Sequence, residues 1–131
     1  IINVHLEAFD VPTREKQAIT LLKIYRKYAD DYPVLIIGDF NSTPPNASHP
    51  YEIEETIALI LSEPGIKSAI SDSLYLATET QQFTFNSRNP DIKIDYIFYN
   101  SARIKEIDAR VVGEANEISD HLPLEMHFVL K

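Results

Sequence analysis

The sequence has no cysteine, fewer basic than acidic residues and no long apolar run. The absence of thiols excludes disulfides, thiolate zinc sites and cysteine nucleophiles. No run approaches the roughly 18–20 apolar residues that a helix needs to span a bilayer. Twenty acidic and twelve basic side chains give a net charge of −8, which argues against long-range electrostatic capture of a polyanion. Phosphate chemistry remains open, because a bound divalent cation reverses the sign of a local site.

The 131 residues, of which 44% are hydrophobic, have the length and composition of one globular domain. Helical spacing predicts two helices, over 11–33 with Thr13 as N-cap and over 51–65. The proline-rich segment 42–50 predicts a loop, and the pattern over 66–81 is ambiguous. Six segments have the alternation or composition of strands: 1–6, 34–37, 82–86, 93–100, 104–113 and 122–130. The order favours an α/β fold with a mixed β-sheet flanked by helices.

The stretch VLIIGDFNSTPP, at 34–45, ends an apolar strand with two polar residues, Asp39 and Asn41. Residues two apart in an extended chain lie on the same face, so we expect both side chains at one site and Phe40 in the core. A carboxylate can take a proton from water, and an amide can donate a hydrogen bond to an oxyanion. An ordinary turn at the end of a strand is an equally good interpretation.

Asp95 interrupts the apolar run of 94–98. An unpaired buried carboxylate costs several kcal/mol, so Asp95 needs a partner unless it faces solvent on an edge strand. The tripeptide Ser119-Asp120-His121 offers that partner, because a buried Asp95 would orient the imidazole of His121 and raise its pKa. His5 lies on the minority face of the first strand, where a lone histidine is more often structural than functional.

Four motifs occur in order along the chain: NVHL at 3–6, GDFNSTP at 38–44, IDYIF at 94–98 and SDHLPL at 119–124. With these motifs, and with TREKQA after the first strand, the sequence resembles the endonuclease/exonuclease/phosphatase superfamily of metal-dependent phosphoesterases. The resemblance implies a four-layer α/β-β/α sandwich with an active site at one rim. The principal metal-binding glutamate of the family precedes the strand at 1–6. We therefore expect residues 1–131 to be the C-terminal part of such a domain, with one sheet and its helices.

The resemblance also implies roles for five residues in hydrolysis of a phosphoester by water. Asp39 would orient or deprotonate the attacking water, and Asn41 would bind a phosphate oxygen. His121 would bind the phosphate and stabilise the developing charge, with Asp95 as its orienting partner. His5 would be a second imidazole in contact with the phosphate.

The metal ligands implied in this part of the fold are Asp39 and Asp120. Their carboxylate oxygens suit Mg²⁺ or Mn²⁺, which retain several water ligands when bound to protein. Because the family's main metal-binding glutamate lies upstream of the strand at 1–6, we expect weak metal affinity and little catalysis from this part alone.

Metal-dependent phosphoester hydrolysis is thus the indicated function, whether of the phosphodiesterase, nuclease or phosphatase type. The acidic composition weakly favours a small phosphoester or a phospholipid head group over nucleic acid as substrate. The alternative is a non-catalytic binding module with the same scaffold; a serine hydrolase finds little support, because no G-x-S-x-G motif occurs. One half of a sandwich would also expose an apolar sheet face, which a homodimer would cover.

Overall fold

A computed structural model describes residues 1–50 and 52–131 and shows the α/β fold with a mixed sheet that the sequence predicts. The strands are β1 (Ile2–His5), β2 (Leu35–Asp39), β3 (Ile66–Ser68), β4 (Asp95–Asn100), β5 (Ile104–Val111) and β6 (Leu124–Leu130). The helices are α1 (Val11–Arg26), α2 (Thr56–Leu61) and α3 (Asp72–Thr78), with 3₁₀ turns at Glu79–Gln81 and Gly113–Ala115. Within the described ranges, no helix has the length and apolar character needed to cross a membrane.

Four strands form the central sheet in the order β1-β2-β4-β3, and β5 and β6 form a separate antiparallel pair. β1 runs parallel to β2, whereas β4 is antiparallel to both of its neighbours, β2 and β3. β2 and β4 are therefore the inner strands. At the end of β2, Asp39 is paired on both sides, with His5 of β1 and with Asp95 of β4.

One face of this sheet forms the hydrophobic core with α1 and α2. Ile36, Tyr96 and Phe98 on the sheet are buried in one cluster with Leu21 of α1 and Ile60 of α2. Alternation along each strand explains the arrangement, because residues two apart share a face. Burial of each large apolar side chain in such a core contributes about 1.5–3 kcal/mol to folding.

Phe40 lies in the core immediately after β2, as the sequence predicts, and has no exposed surface. Its ring makes edge-to-face contacts with Tyr96 and Phe98, at centroid distances of 5.4 Å and 5.1 Å. The loop that follows β2 is therefore anchored by an aromatic side chain buried within the core.

The opposite face of the sheet carries Leu35, Ile37 and Ile97, which remain partly exposed. Ile37 and Ile97 line a groove of about 330 Å³ together with Leu124 and the site residues Asp95 and His121. The homodimer expected from the sequence would cover this face, and it stays a prediction.

The sequence misassigns the N-cap of the first helix and the start of the second. α1 begins after Asp10, whose carboxylate accepts a hydrogen bond from the Thr13 N–H at 2.9 Å, so Asp10 rather than Thr13 is the N-cap. α1 also ends at Arg26, well before Pro33. The predicted helix over 51–65 is present only as α2, because Glu52 and Glu54 point their carboxylates at Arg14 instead of continuing the helix. Tyr51 lies outside the described residues.

The predicted strand at 82–86 is wrong. Phe85 makes only isolated bridges to Ile92 and His121, and no continuous ladder forms there. The ambiguous segment 66–81 instead contains the three-residue strand β3 and the helix α3. A strand of three residues is too short to show the alternation on which sequence prediction depends.

Candidate active site

Three of the predicted site residues form a single row across the sheet. His5 at the end of β1 pairs with Asp39 at the end of β2, and Asp39 pairs with Asp95 at the start of β4. Directly paired residues on neighbouring strands project from the same face. One imidazole and two carboxylates are thereby brought together from positions far apart in the sequence.

His121 joins this row from the loop before β6. Its Nδ1 lies 2.8 Å from Oδ2 of Asp95, and its Nε2 lies 3.8 Å from Oδ2 of Asp39. The same Asp39 oxygen lies 3.5 Å from Nε2 of His5. The contact between Asp95 and His121 is the pairing that the sequence predicts. Because β4 is an inner strand, the alternative in which Asp95 sits on an edge strand is wrong.

The glycine before Asp39 allows β1 and β2 to approach closely enough to form the row. Gly38 has φ +133°, and a Cβ at this position would lie 1.9 Å from the carbonyl oxygen of Val4. Any other residue would push the two strands apart. Gly38 thus belongs to the geometry of the site, although sequence reasoning gave it no role.

Asn41 departs from the extended geometry expected for it. β2 ends at Asp39, and Asn41 has φ +48°, a left-handed conformation that asparagine adopts more readily than most residues. Its backbone N–H donates to Oδ1 of Asp39 at 2.8 Å, and its Nδ2 donates to the carbonyl of Leu6 at 2.9 Å. Asn41 therefore fastens the end of β2 to the end of β1. Its contact with phosphate stays a prediction.

Both peptide groups of Asp95 are held from within the protein. Its N–H donates to Oγ1 of Thr84 at 3.2 Å, and its carbonyl accepts from Nζ of Lys93 at 2.6 Å. Lys93 is fully buried, 4.3 Å above the ring of Tyr96, and burial lowers the pKa of Lys93 to about 7. The sequence places Lys93 near the motifs but does not indicate that it is buried, because a lysine ahead of an apolar run gives no sign of burial, and it does not indicate the contact of Thr84.

Phe85 is a further neighbour that the sequence did not indicate. Its ring centroid lies 4.9 Å from that of His121, at an interplanar angle of 51°. The Leu122 N–H also donates to the carbonyl of Thr84, next in the chain to Phe85, at 2.7 Å. The loop at 84–85 therefore confines the imidazole from the side.

Asp120 lies beside this group but is exposed. Its carbonyl accepts from the Ser87 N–H at 2.7 Å, and its Oδ1 accepts from Oγ of Ser119 at 3.3 Å. One ligand atom from each of Asp39, Asp95 and His121 lies within 4.8 Å of the others, and Asp120 is not a member of this group. The structure thus brings five of the six predicted residues into contact and leaves Asp120 at the rim.

The electrostatics of the row alter two pKa values. Burial raises the pKa of Asp39, and the negative charge of Asp95 raises it further, against the opposing effect of the Asn41 N–H. For His121, burial acts to lower the pKa, but the hydrogen bond and charge of Asp95 outweigh it, helped by Asp39. The net result is an imidazole whose pKa is raised. Asp39 is thereby suited to accept a proton, and the charged form of the His121 imidazole is stabilised by Asp95.

The donor set fits a divalent cation. Two carboxylates on adjacent strands repel each other unless a positive charge lies between or beside them. Carboxylate oxygens and imidazole nitrogen are ligands of Mn²⁺ and related ions, and carboxylates are the preferred protein ligands of Mg²⁺. Asp39, Asp95 and His121 could therefore hold a metal ion without rearrangement of the sheet.

Comparison with known protein families agrees with this arrangement of residues. The model of the Endonuclease/Exonuclease/phosphatase family matches residues 2–121, so the chain belongs to this family. The family consists of phosphoester hydrolases that generally depend on a metal ion. No curated protein matches the sequence at a significant level.

Solved structures share the fold over nearly the whole chain. A mannosyl-6-phosphatase from Bacteroides thetaiotaomicron VPI-5482 is 17% identical with a TM-score of 0.70, and the match covers 97% of this chain and 49% of that one. The catalytic domain of human Nocturnin, solved with a bound sulfate, is 22% identical with a TM-score of 0.66. That match covers 98% of this chain and 45% of that one. TDP2 from D. rerio, complexed with a single-strand DNA product, is 18% identical with a TM-score of 0.68, and the match covers 97% of this chain and 54% of that one. The chain thus spans about half the length of these proteins.

Proposed function

We propose that this chain supplies half of the active site of a metal-dependent phosphoester hydrolase. The observation that carries the proposal is the row of His5, Asp39 and Asp95, completed by His121. It combines a carboxylate base, an imidazole oriented by Asp95 and carboxylate ligands at the neighbouring ends of β1, β2 and β4. Hydrolysis of a phosphoester by water needs each of these.

Asp39 is the residue that orients the attacking water and takes its proton. Burial and the neighbouring Asp95 raise the pKa of Asp39, which makes it a better proton acceptor than an exposed aspartate. As water attacks, a new P–O bond forms, the bond to the leaving oxygen breaks, and that oxygen receives a proton from a site acid or from solvent. Asn41 holds the Asp39 carboxylate in place through its N–H, and its predicted contact with a phosphate oxygen belongs to this proposal.

His121 is the residue that stabilises the charge developing on the phosphate oxygens. Asp95 accepts a hydrogen bond from Nδ1 of His121, so the other ring nitrogen, Nε2, is directed toward the substrate. His5, whose side chain is three-quarters exposed, is the second imidazole. Donors that are fixed before the reaction stabilise the transition state without further reorganisation.

Mg²⁺ or Mn²⁺, when bound, would supply a Lewis acid that neutralises charge on the phosphoryl group. Asp39 and Asp120 are the ligands that the family resemblance implies, whereas the geometry groups Asp39 with Asp95 and His121. Asp39 is common to both sets. We therefore infer that Asp39 is the first ligand in this part of the fold, with Asp120 as a second at the rim.

A small phosphoester or a phospholipid head group is the proposed substrate class. The net charge of −8 disfavours long-range capture of a polyanion. The mannosyl-6-phosphatase among the similar structures acts on a phosphorylated sugar, which supports a small substrate, whereas the TDP2 complex with DNA shows that the fold also accommodates nucleic acid.

The test is Mg²⁺-dependent hydrolysis of a generic phosphodiester, a phosphomonoester, plasmid DNA and a phospholipid. The chain is assayed beside Asp39→Ala and beside Asp31→Ala, which removes an exposed aspartate in the turn after α1. Because the chain carries only part of the site, we expect slow turnover of at least one small substrate, lost in Asp39→Ala and kept in Asp31→Ala. Equal rates in all three proteins would remove the role of Asp39. No turnover in wild type would mean that this chain alone is not active and would point to a requirement for the family's upstream metal-binding glutamate.

A further inference from the structure

The helix α1 holds both peptide groups of Glu7, just beyond the end of β1. Nη1 of Arg14 donates to the Glu7 carbonyl at 2.7 Å, and the Glu7 N–H donates to Oε1 of Gln17 at 2.7 Å. Arg14 and Gln17 are three residues apart and therefore share one face of the helix. A single peptide segment is thus held by two side chains of one rigid element.

The residue before Glu7 continues this connection to the site. The Leu6 N–H donates to the carbonyl of Asp39 at 3.0 Å, and the Leu6 carbonyl accepts from Nδ2 of Asn41 at 2.9 Å. The Asn41 N–H in turn donates to the carboxylate of Asp39. An unbroken series of hydrogen bonds therefore runs from Gln17 through Glu7 and Leu6 to the proposed catalytic carboxylate.

Arg14 is itself immobilised. It has no exposed surface, its Nε donates to Oε2 of Glu54 at 2.9 Å, and its Nη2 donates to Glu52. Glu54 is also almost fully buried, and Oγ1 of Thr56 donates to the same Oε2 at 2.7 Å. Each of its three guanidinium nitrogens thus has an acceptor within the protein, so that its buried charge is fully paired. It is a fixed point from which Glu7 is held.

We infer that Arg14 and Gln17 are positioning residues, which hold the Leu6–Glu7 peptide and through it set Asp39, Asn41 and His5 in their working geometry. The inference rests on the proposed function of the site. It gives a physical role to the TREKQA motif, which the catalytic row leaves unexplained. If residue 17 served only to pack α1, an apolar side chain would bury the same surface. Gln17 in addition supplies the acceptor for the Glu7 N–H.

Gln17 is the better residue for the test, because loss of Arg14 would leave two carboxylates unpaired and endanger the fold. Gln17→Met keeps the size and helix propensity but removes the acceptor. Gln17→Glu restores an acceptor oxygen at the same position. Thr20→Ala is the matched control, since the Thr20 hydroxyl bonds only to the Lys16 carbonyl within α1.

The first measurement is amide hydrogen exchange, resolved by residue by NMR in each variant. We expect Gln17→Met to speed exchange at Glu7, Leu6 and Asn41 by about fivefold, the factor that corresponds to one lost hydrogen bond of ordinary strength. Gln17→Glu restores slow exchange, and Thr20→Ala leaves all three amides unchanged. Faster exchange at Glu7 alone would overturn the inference, because the effect would then stop short of the site.

The second measurement is turnover with the substrate identified above. We expect Gln17→Met to lower kcat about tenfold with little change in KM, and Gln17→Glu to recover most of that loss. Unchanged kcat in Gln17→Met, with wild type active, would overturn the inference while leaving the proposed function intact. If wild type shows no turnover, this chain alone is not active, and the exchange rate at Asn41 alone decides whether Gln17 positions this loop.

Discussion

Asp39 and Asp95 are paired directly across β2 and β4, so two carboxylates leave the same face of the sheet side by side. Neither carboxylate belongs to the hydrophobic core, which lies on the other face of the sheet. Like charges placed this close destabilise the folded state unless a cation or a shared proton compensates them. Such an arrangement is typical of a functional site, where groups that activity requires lower the stability of the folded protein.

We predict that Asp39→Asn stabilises the metal-free chain while abolishing turnover. The amide keeps an acceptor for the Asn41 N–H and removes the repulsion with Asp95, so the free energy of unfolding should rise by roughly 0.5–2 kcal/mol. Urea denaturation in EDTA measures this change. Asp31→Asn, at an exposed position, serves as the control and should leave stability unchanged. A destabilised Asp39→Asn variant would show that the carboxylate is structural.

A second prediction concerns the titration of His121. Asp95→Asn should lower the pKa of His121, because the hydrogen bond and the charge of Asp95 raise that pKa against the effect of burial. A folded-state pKa above the unfolded value gives stability that is present at low pH and lost as the pH rises through the folded pKa. Asp95→Asn should therefore weaken the fold at pH 5.5 more than at pH 8.5.

NMR titration of the imidazole resonances in metal-free protein checks this prediction. His127, which contacts Asp108 and Glu125 on the β5–β6 pair, supplies internal-control resonances that should be the same in both proteins. An unchanged titration of His121 would mean that the 2.8 Å contact with Asp95 does not govern its charge.

The third prediction concerns the buried cation beneath the site. The pKa of Lys93 falls from 10.5 to about 7 on folding, so the unfolded chain binds more protons between these two values. The contribution of Lys93 to stability therefore improves as the pH rises from about 7 toward 10.5. Lys93→Met should raise the free energy of unfolding by at least about 1 kcal/mol at pH 6, and the gain should shrink at pH 9.

Lys67→Met is the matched control for Lys93→Met, because Lys67 lies on β3 with its side chain exposed. Its stability should follow that of wild type at both pH values, as measured by denaturant unfolding. A Lys93→Met variant that is less stable than wild type at pH 6 would mean that the hydrogen bond to Asp95 outweighs the burial of the charge.

The fourth prediction separates the two possible sets of metal ligands. Mn²⁺ should broaden the NMR signals of His121 and its neighbours in wild type, and Asp39→Ala should weaken this binding about tenfold or more. If Asp120 is a ligand, Asp120→Ala should weaken binding comparably. Binding unaffected by Asp120→Ala but lost in Asp95→Ala would assign the ion to the group of Asp39, Asp95 and His121. Binding unaffected by Asp39→Ala would refute both sets.

Sequence patterns identified the site better than they identified the elements around it. The contact between Asp95 and His121 was predictable, because a carboxylate in an apolar run needs a partner and few candidates exist. The conformation of Asn41 was not, because the end of a strand depends on its neighbours. Gly38 gave no signal, since the close approach of Val4 is a property of two strands together. The helix expected over 51–65 was shortened by Arg14, a residue forty positions away from Glu54.

Phe40 connects the stability of the whole domain to the integrity of the site. Its ring is fully buried against Tyr96 and Phe98, while its neighbours in the chain are Asp39, a member of the row, and Asn41, which holds the Asp39 carboxylate. A catalytic loop usually opens and closes independently of the core, at low energy. Here the loop cannot leave its place unless an aromatic ring leaves the core. Heat inactivation should therefore coincide with global unfolding rather than precede it. The site should not unfold separately at a lower temperature than the rest of the domain.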